Sequence, residues 1–124
     1  MRIKISVAKE PKHKDIVTAV GWSTSDELLS CGDDHALLRW NLISAETSSL
    51  ASLPDTLYPT DIHWFPRGLG GASRKGGSDL FVLTSTDGRF YLISKTGRVE
   101  KSVEAHKGAV ISARWSYDGT SLVT

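Results

Sequence analysis

The chain has 124 residues, 40% apolar and 23% charged, with a formal net charge of +1. The length suits one ordinary domain, and so small a charge argues against nucleic acid or an acidic membrane surface as the main partner. One cysteine, Cys31, rules out an intramolecular disulfide and fits a reducing compartment. No apolar run approaches the ~20 residues of a membrane-crossing helix, so no membrane insertion is expected.

Residues 2–8 alternate, with Ile3, Ile5 and Val7 on one side and Arg2, Lys4 and Ser6 on the other. That period predicts a half-buried strand. The same residues hold no hydrophobic signal core, so a cytosolic chain is expected. Residues 9–14, with Pro11, break the pattern.

Residues 16–22 give the next predicted strand, apolar on both faces and so interior to packed layers. S-T-S-D-E at 23–27 is a turn cluster. Strands follow at 28–32 and 36–42, joined by the tight turn Gly32-Asp33-Asp34-His35. A weaker strand at 47–53, rich in Ser and Thr, belongs on the outside. Pro54 and Asp55 end it.

A second unit begins near Tyr58. Residues 60–65 form a strand containing Trp64, and Pro66 stops it. R-G-L-G-G-A-S-R-K-G-G-S-D at 67–79 cannot bury apolar area and reads as a surface loop. It has no Gly-Lys-Ser/Thr and no following helix, so it is no phosphate-binding loop. Strands at 80–85 and 89–93 flank a turn of the Asp-Gly type, Asp87-Gly88, and 98–103 alternates as an outer strand. A third unit opens at His106, with strands expected at 109–115 and 121–124 around S-Y-D-G-T. No stretch has a helical period.

The units are copies. V-T-A-V-G-W-S ending at Ser23 matches V-I-S-A-R-W-S ending at Ser116, each nine residues on from a His to its Trp: His13 to Trp22, His106 to Trp115. D-I-H-W-F-P places Trp64 in the same register, 42 residues after Trp22. A period of ~40–45 residues is that of four-stranded propeller blades. The pattern resembles the WD40 repeat, an all-β propeller fold. That resemblance implies a closing strand at 1–8, a first blade at 13–53, a second at 58–103 with the loop 67–79, and the start of a third at 106–124. A propeller needs ~4–8 blades, so a fragment of a longer protein is expected.

The resemblance assigns His13, Ser30, Asp34 and Trp40 to a structural hydrogen-bond network, with Asn41 where the family usually has Asp and Lys12 where it has Gly. The aspartate can accept from the imidazole, the imidazole from the hydroxyl, and the hydroxyl from the indole. The second unit keeps only Asp87, with Asp55, Leu83 and Ile93 in the His, Ser and Trp places, and should rely on packing. A Ser-His-Asp catalytic reading is set aside, because the repeat explains the spacing and no oxyanion device accompanies it. Scattered His with one Cys give no metal spacing, and no cofactor is expected. The recurring Trp22, Trp64 and Trp115 are expected to pack between neighbouring blades.

Four stretches narrow the resemblance: M-R-I-K-I-S, S-C-G-D-D-H-A-L-L-R-W-N-L, Y-P-T-D-I-H-W-F-P and I-S-K-T-G-R-V-E-K-S-V-E-A-H-K-G-A-V, of which D-I-H-W-F-P and G-R-V-E-K-S-V-E-A-H are not general features of the repeat. These resemble the amino-terminal propellers of the eighty-kilodalton intraflagellar transport subunits. That implies a non-enzymatic scaffold of the transport B complex, working in the cilium or flagellum. Partners would be other B subunits, including one with a calponin-homology domain. Rim loops that would face them carry Lys12, Lys14, Asp33, His35, Tyr58 and Lys107. The alternatives are a WD40 adaptor of another assembly, such as a vesicle coat or ubiquitin ligase, and, behind it, a propeller enzyme.

Overall fold

The computed structural model describes residues 1–5, 7, 9–66 and 79–124. Its first four strands are β1 (Val17–Trp22), β2 (Glu27–Gly32), β3 (Ala36–Asn41) and β4 (Glu46–Ser52), paired antiparallel in chain order as one sheet. The next four repeat that arrangement: β5 (Pro59–Trp64), β6 (Leu80–Ser85), β7 (Arg89–Ser94) and β8 (Val99–Glu104). A short hairpin, β9 (Arg114–Trp115) and β10 (Leu122–Val123), begins a third unit. No helix occurs among the described residues.

The turns are set by local polar chemistry. Ser23 donates through its amide (3.0 Å) and its hydroxyl (3.1 Å) to the Glu27 carbonyl, closing the β1–β2 turn. Asn41 accepts from the amides of Ile43 (2.9 Å) and Ser44 (3.0 Å), closing the β3–β4 turn. An amide oxygen serves there as well as a carboxylate would, so Asn41 costs the fold little. Gly88, at φ +83°, completes the β6–β7 turn, and its carbonyl accepts from Ala105 (3.0 Å) and His106 (3.1 Å). A Cβ there would lie 2.3 Å from the His106 carbonyl oxygen. The backbone conformation and the close approach thus both call for glycine.

The core lies between the two sheets. Leu29, Cys31 and Leu37 of the first meet Ile62, Trp64, Phe81, Leu83 and Ile93 of the second, with Leu53 and Leu57 of the connecting segment closing one end. Trp64 stacks on Phe81 at 5.0 Å. Gly21 marks a close approach of the two sheets, because a Cβ there would sit 2.6 Å from Ile62 Cγ2. Burial pushes the Cys31 thiol up to about 12, so it is a neutral apolar filler.

Two expectations are corrected, and a third has no partner to meet. Residues 1–5 and 7 are exposed and form no strand, since the closing strand expected over 2–8 has no neighbouring sheet among the described residues. A lone strand has no ladder to hold it. Residues 109–113 are not a strand; only Arg114 and Trp115 pair in β9. Trp64 is 9% exposed but Trp22 is 59% exposed. The side of the first sheet that carries Trp22 has no covering sheet among the described residues. The loop expected over 67–79 lies, except for Asp79, outside the described residues.

Candidate functional site

β2 carries Ser30 and β3 carries Trp40 on the same side of the first sheet, while Asp34 sits in the turn between them. His13, on the segment entering β1, crosses over all three. Trp40 Nε1 donates to Ser30 Oγ at 2.8 Å. Ser30 Oγ lies 2.6 Å from His13 Nε2, and His13 Nδ1 lies 2.9 and 3.1 Å from the Asp34 oxygens. The Ser30 oxygen accepts from the indole and faces Nε2, while His13 Nδ1 donates to Asp34. Asp34 also accepts from the amides of Lys14 (2.9 Å) and Ala36 (3.2 Å). Burial pulls the Asp34 pKa upward, but the Lys14 amide, His13 and the Ala36 amide outweigh it and hold the carboxyl below its usual range. The chain ties the entering segment, two strands and their turn together. Ser30 is buried, and its oxygen lies between the indole and the imidazole, which ties it into the fold.

In the second sheet the same places hold Leu83 and Ile93, both fully buried against the first sheet. Asp55, in the His13 place, is exposed. Asp87 nonetheless has partners that its place in the repeat did not suggest: Tyr91 Oη donates to it at 2.5 Å and the Arg89 amide at 3.0 Å. Burial, then the bond to Asp87 and its charge, pushes the Tyr91 phenol up to about 12. In the third unit His106 Nε2 lies 2.9 Å from Thr124 Oγ1, the pairing that His13 makes with Ser30.

Residues 110–115 attach to the second sheet through β5 side chains. Asp61 accepts from the Ser112 hydroxyl (2.9 Å), the Ala113 amide (3.1 Å) and the Arg114 guanidinium. His63 Nδ1 accepts from the Trp115 amide at 3.0 Å. Thr60 donates to the Val110 carbonyl, and the Val110 amide donates to Ser85 O at 3.0 Å. Sequence reading passed over Asp61 and His63 because their partners lie about fifty residues away. The only available signal was that a polar pair falls where the first unit has Ala19 and Gly21.

The six rim residues divide. His35 and Tyr58 meet edge to face at 4.8 Å, and His35 Nδ1 donates to the Leu57 carbonyl at 3.0 Å. His35 holds φ +59°, a conformation non-glycine residues seldom adopt. Asp33 is the adjacent turn residue and is half-buried, while Lys14 and Lys107 are exposed. Lys12 stands apart, bordering a groove with Glu27, Arg39 and Asn41. Among the described residues no three His, Cys, Asp or Glu side chains converge as metal ligands.

Repeated four-stranded meanders, one fastened by a Trp-Ser-His-Asp chain, define blades of a WD40 β-propeller. Residues 5–41 match the WD40 family, described as WD domain, G-beta repeat. The chain carries WD40 repeats and belongs to that all-β class. Along all 124 residues it is 59% identical to the intraflagellar transport protein 80 homologs of Mus musculus and Rattus norvegicus, and it spans 16% of the length of each. Over an alignment covering 44% of the chain it is 43% identical to protein transport protein Sec31A of Danio rerio, of which it spans 4%. The chain has the fold of a WD40 propeller fragment and is similar along its whole length to intraflagellar transport protein 80.

Proposed function

We propose that the chain is the amino-terminal part of a WD40 propeller in an intraflagellar transport B subunit, acting as a non-enzymatic scaffold in cilium or flagellum assembly. The observation that carries this reading is the 59% identity over the whole chain to the intraflagellar transport protein 80 homologs. The blades hold loops rigidly, so binding comes from many modest contacts across a rim. His35 and Tyr58 form the centre of that rim, with Asp33, Lys14 and Lys107 around it and Lys12 more remote. The partners are other B subunits, including a calponin-homology-domain subunit, and the sites of action are the cilium, its basal body and the cytoplasm.

The test is affinity purification of the full-length protein from ciliated cells, with imaging of the same tagged protein. Co-purification of transport subunits and ciliary signal are expected. Recovery of vesicle-coat or ubiquitin-ligase subunits in their place would overturn the reading. One observation favours that second reading, an adaptor of another assembly: the partial similarity to protein transport protein Sec31A. It reaches less than half of the chain, so the full-length similarity outweighs it.

A further inference from the structure

The two seams of this molecule use the same strand positions and opposite chemistry. Where the first sheet meets the second, β1 offers Ala19 and Gly21, and no side chain on β1 titrates. Where the second meets residues 110–115, β5 offers Asp61 and His63. We propose that Asp61 and His63 make this second seam a proton-operated latch, closed with His63 neutral and Asp61 ionised and loosened when His63 takes a proton.

The geometry gives the reason. His63 Nδ1 accepts the Trp115 amide proton at 3.0 Å, which requires a bare ring nitrogen. A proton from solvent would sit on that nitrogen, so two donors would face each other. The imidazolium would also lie beside the Arg114 guanidinium, which already holds Asp61. The charged groups around His63 are few. From β9 it faces Arg114, and on its own strand Asp61. Neither β6 (Leu80–Ser85) nor β1 (Val17–Trp22) has a titratable side chain, and β2 has Glu27 and the neutral thiol of Cys31.

The signs follow. Burial first, then Arg114, lowers the His63 pKa below its ordinary 6.5, and Asp61 offsets only part. Its contribution to the seam is therefore complete above pH 6.5 and is lost as pH falls through the lowered value. Burial raises the Asp61 pKa, but the Ala113 amide, Ser112 and Arg114 more than reverse this. Asp61 thus stays ionised to below 3.8. Between those two limits, within this seam, His63 alone changes charge.

Hydrogen exchange on the full-length protein tests this, at about pH 7.5 and about pH 5.5, with rates corrected for the intrinsic pH effect. Residues 110–116 should lose up to about tenfold in protection per pH unit below the ordinary histidine value, and residues 17–22 should not change. His63→Asn places an amide oxygen where Nδ1 stands and cannot titrate, so residues 110–116 should keep equal protection at both pH values. Equal loss at both seams, no loss at the second, or loss that persists in H63N would each overturn the proposal. The wild-type comparison of seams decides even where the variant fails to fold.

Discussion

The two complete blades fill equivalent places with incompatible materials. Ser30 and Trp40 in the first are Leu83 and Ile93 in the second, and the pairing register around them is the same: Val20 opposes Ser30 as Ile62 opposes Leu83, and Leu28 opposes Trp40 as Phe81 opposes Ile93. Either set is self-consistent. A complete polar chain leaves no donor unmet, and a complete apolar set has none to meet. Mixed sets are the costly ones, since a buried hydroxyl without its partner loses solvation for nothing. A blade does not require the His-Ser-Trp-Asp chain. What it requires is that the choice be made for all the places together.

The sharpest way to break that comparison is to mix the sets. Leu83→Ser removes buried methyl groups and adds a hydroxyl with no histidine to receive it. It should destabilise the full-length protein by about 3–5 kcal/mol, read from urea unfolding. Asp34→Ala strips the receiver from His13 Nδ1 and from two amides, and should cost about 1–3 kcal/mol. A loss at Leu83→Ser no larger than at Asp34→Ala would sink the idea that completeness matters.

Tyr91→Phe tests the substitute that the second blade has found for Asp87. It should cost about 0.5–1.5 kcal/mol, with a pH signature opposite to that of the first blade. Tyr91 is raised from its ordinary 10 to about 12, so its share is complete below pH 10 and is lost as pH rises through about 12. Asp34 lies below its ordinary 3.8, so its share is complete above pH 3.8 and is lost on further acidification. Stability curves of the two variants against wild type should therefore converge at opposite ends of the pH scale. Convergence at the same end would refute the assignment. Glu100→Ala, at the exposed pair with Arg98, should change stability by no more than about 0.5 kcal/mol, which gives the baseline.

Much of this was legible in the residues. Strand positions within the blades followed from alternation and turn chemistry to within about a residue, because each turn carries its own polar closure. The first blade's quartet was legible because the repeat supplies a register. Residues 109–113 misled for the converse reason: β-branched and alternating composition predicts a strand, yet a ladder needs a neighbour, and β5 side chains hold these residues in its place. Asp61 and His63 were hard to read because their partners lie about fifty residues away across a seam, and the Asp87–Tyr91 bond, only four residues long, because the repeat gives Asp87 a histidine partner instead.

Trp22 and Trp64 hold the same place in successive blades, and one indole is in water while the other is inside. That makes Trp22 an optical gauge built into the polypeptide. Its emission belongs at long wavelength as the sheets stand and would move to the blue under any polypeptide laid across that face. Trp64, already sealed, would contribute a constant background. A Trp22→Phe variant isolates the signal by subtraction, so that the covering of one blade can be followed without attaching a dye.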